Sequence, residues 1–219
     1  MFKEFEKRLI SSIILILITL LVVLEGKTFF YIFLSIAFII SSYEWFKMIK
    51  RFDIKIFGIL FLFFSFYSAF FFRDQNLEGF LLIILICVST DIGGYIFGNL
   101  FKGPKLTKIS PKKTQSGMIG GFVLSLIVSS IFVLQYSNEI YIDQNLIEND
   151  LKFVILILLI SSVSQIGDLI ISYFKRSSKI KNTGNIIPGH GGLLDRIDGM
   201  IFVFPFVYLV TALSIIIKL

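Results

Sequence analysis

The sequence predicts an all-α, polytopic membrane protein with about seven transmembrane helices and a cytoplasmic N-terminus. Three observations predict it. The chain of 219 residues is 56% hydrophobic with 26 Phe and a mean hydropathy of +0.88, above the ~45–50% apolar content of a soluble domain. Its apolar residues come in runs that approach the ~20 residues needed to cross a ~30 Å hydrocarbon core. The runs lack the apolar–polar alternation that marks a membrane β-barrel.

The spans follow in order. The first, Leu9–Leu24, comes after Met-Phe-Lys-Glu-Phe-Glu-Lys-Arg, which resembles a signal-peptide n-region. No small-residue cleavage site follows, so it is read as an uncleaved helix. Thr28–Tyr43, Ile56–Phe72, Leu77–Phe97, Met118–Leu134, Leu151–Tyr173 and Gly199–Ile217 complete the set. The chain is read as one integral-membrane domain over residues 1–219, with N-terminal helices in 1–76 and a catalytic region in 77–219. Small residues favour close helix approach, but no clear Gly-x-x-x-Gly stripe marks a dimer face, and a homodimer stays open.

Cation placement sets the orientation. With the N-terminus inside, the inner segments hold Lys3, Lys7, Arg8; Lys47, Lys50, Arg51, Lys55; Lys102, Lys105, Lys108, Lys112, Lys113; and Lys175, Arg176, Lys179, Lys181, Arg196. That is 17 of the 21 cations, leaving Lys27, Arg73, Lys152 and Lys218 outside. This is the positive-inside pattern, and it accounts for the net charge of +6 without nucleic acid. Loops 98–117 and 174–198 therefore face the cytoplasm. One Cys and one His exclude an internal disulfide and the usual zinc or haem sites.

Chemistry concentrates between Ser172 and Asp198. Pro188-Gly189-His190-Gly191-Gly192 followed by Asp195-Arg196-Ile197-Asp198 combines glycine amides, the single His and two carboxylates. Glycine amides ahead of a helix start form an anion nest; the plain alternative is an ordinary loop. Asp195 and Asp198 share a face if helical, and like charges there invite a divalent cation. Taken alone, Asp195 paired with a nearby Lys or Arg is the simpler reading. Together with Asp168 in the preceding apolar run, the metal reading is preferred. Lys175 and Arg176 are placed to meet phosphates at the interface. Asp91 and Asp168 are costly in hydrocarbon and call for a wet or paired interior, or an ordinary helix-packing contact. The 105–114 segment is phosphate-friendly but lacks the P-loop pattern, and reads first as a solvated basic loop.

These residues resemble the phosphatidate cytidylyltransferase (CDP-diacylglycerol synthase) family. The likeness rests on Ser172-x-Phe174-Lys175-Arg176, Lys181, Gly184, Ile187-Pro188, His190-Gly191-Gly192 and Asp195-Arg196-Ile197-Asp198. Gly167-Asp168-Leu169, Thr90-Asp91-Ile92-Gly93-Gly94-Tyr95, Ser110-Pro111-Lys112-Lys113-Thr114 and Glu44-Trp45 extend it over most of the chain. Asn182 stands where that family usually has aspartate, and Gln115-Ser116 where it often has Trp-Glu. The resemblance implies a bacterial inner-membrane enzyme of phospholipid synthesis, with CTP and phosphatidic acid as substrates and its active site facing the cytoplasm. It implies Mg²⁺, with room for a second cation, on Asp168, Asp195 and Asp198. Lys175, Arg176 and Lys181 would neutralise phosphates, and His190 with the Gly191 and Gly192 amides would hold a phosphoryl oxygen. Ser172 and Arg196 belong to the same signature, and Asp91, Lys112 and Lys113 would shape the opposite wall. A CDP-alcohol phosphotransferase, a transporter using Asp91 and Asp168, and an inactive membrane scaffold are the competing readings. The first lacks its Asp-Gly-x-x-Ala-Arg pattern here, and the second its internal repeat.

Overall fold

The structure, a computed structural model, describes residues 17–107, 110–136, 150–187 and 191–217. Among them the only regular elements are helices. Residues 17–25 form the described part of α1. The others are α2 (Lys27–Met48), α3 (Phe52–Gln75), α4 (Leu77–Phe101), α5 (Gln115–Tyr136), α6 (Asp150–Ser177), α7 (Leu194–Ile197) and α8 (Met200–Ile217). Five of them, α2 to α6, are long and apolar enough to cross a membrane, and α8 contributes a shorter apolar helix, Met200–Ala212. The first expected span lies partly outside the described residues.

The helices run past the apolar runs that predicted them. α2 continues beyond Tyr43 to Met48, because Ala37, Ser41, Glu44, Trp45 and Met48 form one buried stripe at helical spacing. Local chemistry sets the starts. The Asn76 side chain caps α4 by accepting from the Gly79 N–H at 2.9 Å. Thr114 caps α5 by accepting from the Gly117 N–H at 3.1 Å. Both are side-chain oxygens relieving orphan amides of a first helical turn. Gln115 and Ser116 sit in that turn, where Gln115 N donates to Pro104 O at 3.0 Å and the Ser116 hydroxyl donates to Lys102 O.

The chain divides into two compact units. One comprises Met1–Phe70 with Phe174–Ile197, the other Phe71–Tyr173 with Asp198–Leu219. The signature segment thus packs with the N-terminal helices. In that first unit Trp45 is 5% exposed. Its indole N–H donates to Ile54 O at 3.3 Å, and its ring meets Phe174 edge-on at 4.9 Å between centroids. Gly58 leaves the space the indole occupies.

In the second unit α4 and α5 approach backbone to backbone. A Cβ on Gly93 would lie 2.9 Å from the Gly120 carbonyl carbon, and one on Gly120 would lie 2.8 Å from Phe97 Cδ2. Thr90 and Ser161 hydroxyls, both buried, join α4 to α6 at 2.8 Å. Gly120→Val is expected to wedge α4 from α5 and cost about 1–3 kcal/mol. Thermal unfolding in detergent checks it; an unchanged midpoint would contradict the close packing.

Candidate active site

In the first unit the site is built around Glu44. This side chain is 1% exposed and both oxygens accept hydrogen bonds. Oε2 takes the Thr183 hydroxyl at 2.9 Å and the Leu194 N–H at 2.9 Å; Oε1 takes the Leu193 N–H at 3.0 Å. The end of α2 therefore clasps the signature segment at two points, before and at the start of α7. Glycines make room for the clasp. A Cβ on Gly192 would lie 2.6 Å from Glu44 Oε1, and one on Gly184 3.0 Å from Glu44 Cδ.

Asp195 is the second anchor. Its Oδ1 accepts from Lys175 Nζ at 2.8 Å. Its Oδ2 accepts from Thr183 N at 2.8 Å and Gly192 N at 3.0 Å. The two side chains are only 10% and 7% exposed. Burial pushes the Asp195 carboxyl up, but the Lys175 ammonium and the Thr183 and Gly192 amides outweigh it and hold the group below the usual carboxylate range.

Two expectations change here. The amides around Gly192 do form an anion-accepting turn, but Asp195 takes the Gly192 amide and Glu44 takes those of Leu193 and Leu194. The chain fills its own nest, so the Gly192 N–H is not free for a phosphoryl oxygen. Gly191, at φ +90°, adopts a conformation open to glycine, and its carbonyl accepts from Ile187 N at 3.0 Å. Asp195 and Asp198 do not share a helical face either. α7 ends at Ile197, Asp198 and Gly199 form a turn, and Asp198 Oδ1 accepts from Gly199 N at 3.0 Å.

The remaining cations of this unit are placed as follows. Arg176 is exposed and donates to Ile180 O at 3.2 Å, which helps to close the end of α6. Lys181 and Arg196 are exposed. His190 lies outside the described residues. Asn182 is exposed beside the signature turn.

In the second unit Asp168 is the focus. Its Oδ2 is ion-paired with Lys113 Nζ, at side-chain exposures of 25% and 28%. Its Oδ1 accepts from the Ser172 hydroxyl at 3.2 Å. Lys113 reaches it from a folded loop, in which Leu106 N donates to Lys113 O at 2.8 Å and Lys113 N to Ser110 O at 3.0 Å. Asp198 is 9% exposed. A Cβ on Gly167 would lie 3.0 Å from the Asp198 carbonyl oxygen, so the turn that begins α8 crosses α6 one residue from Asp168. Lys112 is exposed. Asp91 is exposed on α4.

The helical period puts Asp168, Ser172 and Lys175 on one stripe of α6. Asp168 and Asp195 thus each carry a lysine ammonium, Lys113 on the first and Lys175 on the second. Among the described residues no three His, Cys, Asp or Glu side chains stand together as a metal cage. Mg²⁺ takes one or two carboxylates and completes its shell with water and substrate phosphates. Of the three carboxylates expected to hold it, Asp195 has both oxygens taken by Lys175, Thr183 and Gly192, which leaves Asp168 and Asp198 as the residues that would hold such an ion.

Sequence reasoning missed Glu44 as a site residue. Its signal was present: an acid in register with the buried stripe of an apolar helix must find donors.

Comparison with known proteins identifies relatives of the chain as a whole. The sequence profile of the cytidylyltransferase family matches residues 54–214. A phosphatidate cytidylyltransferase of Rickettsia bellii is 32% identical over 94% of this chain and 90% of its own length. One of Rickettsia prowazekii is 34% identical over 90% of this chain and 88% of its own. One of Bacillus subtilis is 42% identical over 64% of this chain and 51% of its own.

Proposed function

This chain belongs to the cytidylyltransferase family, and from that premise we propose that it transfers a cytidylyl group from CTP to phosphatidic acid, giving CDP-diacylglycerol and pyrophosphate. The near full-length match to phosphatidate cytidylyltransferases carries the reading. The paired lysines and carboxylates supply chemistry suited to it.

An oxygen of the phosphatidate phosphomonoester attacks the α-phosphorus of CTP. The bond from that phosphorus to the α,β-bridging oxygen breaks, and its electrons leave with pyrophosphate. The nucleophile is already anionic near neutral pH, so no strong general base is needed. The barrier is that of bringing polyanions together, and positioned cations lower it. Lys113 and Lys175, stored against Asp168 and Asp195, are the ammonium groups that substrate phosphates would draw on. Asp195 keeps the signature turn in register with Lys175, and Ser172 orients Asp168. Asp168 and Asp198 would hold Mg²⁺, and such an ion would supply positive charge to the phosphates that part as pyrophosphate leaves. Arg176, Lys181 and His190 would complete the phosphate contacts. We place the reaction at the cytoplasmic face of the bacterial inner membrane, supported by the distribution of cations and by the bacterial relatives. Phosphatidate would then enter from the bilayer with its acyl chains still in lipid.

The test is Mg²⁺-dependent pyrophosphate release by purified protein in detergent–phosphatidate micelles. Release is expected to require both CTP and phosphatidate, to stop on chelation, and to fall by about 100-fold or more in Asp198→Asn. CMP release from a CDP-lipid, without CTP consumption, would replace this reading with an alcohol phosphotransferase. Wild-type activity in Asp198→Asn would remove the metal assignment.

A further inference from the structure

Within the first unit, a cleft of about 290 Å³ opens beside the Thr183 anchor, and its lysines have no part in the scheme above. The end of α2 supplies Lys47 and Lys50 to it, and the segment after α6 supplies Ser178, Asn182, Thr183 and Asn185. Its volume is at the small end for ligand pockets. No carboxylate lines it. Glu44 is the nearest acid along α2, and both its oxygens are spent on Thr183, Leu193 and Leu194. Among the described residues neither Lys47 nor Lys50 enters an ion pair. Among the described residues the cleft therefore offers two ammonium groups outside any ion pair, set among hydroxyl and amide side chains.

Its walls are fastened. Lys179 adopts a left-handed turn at φ 57°, and Ile180 N donates back to Lys175 O at 3.0 Å, which is how a chain reverses off a helix end. That reversal lays 180–185 alongside the end of α2, where the Thr183–Glu44 hydrogen bond ties it down. A cationic pocket with preset walls loses little ordering entropy when it takes an anion.

We propose that this cleft, which shares Thr183 with the Asp195 anchor, is a phosphate-binding subsite that takes a phosphoryl group of one of the two substrates. It rests on the reading that both substrates carry phosphate. The nucleotide polyphosphate and the lipid headgroup share this chemistry.

The experiment uses the full-length protein in detergent and its Lys47→Gln/Lys50→Gln variant. Calorimetric titration with inorganic tripolyphosphate, with no lipid present, reads the subsite without turnover. The variant is expected to bind it about tenfold or more weakly, and Lys47→Arg/Lys50→Arg to restore most of the affinity. Steady-state kinetics then name the source. A KM for CTP raised about tenfold at near-constant kcat assigns the nucleotide. The same change in the KM for phosphatidate assigns the lipid. Unchanged tripolyphosphate affinity overturns the proposal, and so does weakened affinity with both KM values unaltered. If the wild-type protein binds tripolyphosphate through these lysines but does not turn over CTP with phosphatidate, the proposed reaction falls and the phosphate subsite stands.

Discussion

Replacing Glu44 with alanine is expected to abolish turnover while the membrane helices remain inserted. The substitution strands the Leu193 and Leu194 amides and the Thr183 hydroxyl, all of which Glu44 now satisfies. Each buried donor left without a partner costs about 1–3 kcal/mol, so the three together are worth about 3–9 kcal/mol locally. That is comparable to a whole domain's margin, and the signature segment should undock. Asp195 and Lys175 then lose the Thr183 and Gly192 amides that hold their register. Glu44→Asp is one methylene too short to span both contact points and should not rescue. Glu44→Gln keeps an acceptor but presents its own N–H groups to donors, and should fall between. Amide hydrogen exchange at Leu193 and Leu194, measured beside pyrophosphate release, separates undocking from a purely chemical defect. Turnover within threefold of wild type in Glu44→Ala, with the two amides still protected, would refute the clasp.

The second large effect is expected from Lys175→Met. Asp195, at 7% side-chain exposure, would be left as a buried carboxylate without its cation. Breaking such a pair from one side costs about 3–5 kcal/mol. The sign of the pH dependence follows from the shift. In the wild type the folded-state carboxyl lies below its ordinary value. Its stabilisation is therefore complete above the unfolded carboxylate value and is lost as pH falls through the lower, folded one. In Lys175→Met the burial effect gains on the two remaining amides, so the Asp195 group titrates at higher pH. The acid limb of stability should move upward. Melting temperature recorded from pH 3 to 7 reads it. An acid limb that coincides with the wild type would show that Lys175 does not set the Asp195 carboxyl. Lys175→Met/Asp195→Asn should recover part of the loss, because no buried charge is then left alone.

The fold was legible because a bilayer imposes length. The apolar runs at 56–72, 77–97, 118–134 and 151–173 lie within α3, α4, α5 and α6. What was not legible is how far helices continue into the polar interface. α2 carries Glu44 and Lys47 in its last turns, and charged residues there look like the start of a loop. The same ambiguity hid Glu44, although Ala37, Ser41, Trp45 and Met48 share its buried face. The glycine-rich turn reads as a nest for a substrate anion, whereas the Gly192, Leu193 and Leu194 amides meet Asp195 and Glu44. Pattern alone does not say whether that anion is a ligand or the chain's own carboxylate. The Asp195–Asp198 spacing failed for a different reason: a spacing of three aligns side chains only if the helix lasts, and α7 has four residues. The Lys113–Asp168 pair joins distant parts of the sequence, and nothing local in either segment names the other.

Trp45 is the single tryptophan of the chain, and it is buried beside Glu44, against Phe174. All indole fluorescence of this protein therefore originates at the joint where α2 meets the last turns of α6. A water-excluded indole emits toward the blue, and it reddens when water reaches it. The wavelength of that emission reports, in an unlabelled membrane, whether the joint beneath the signature segment is closed.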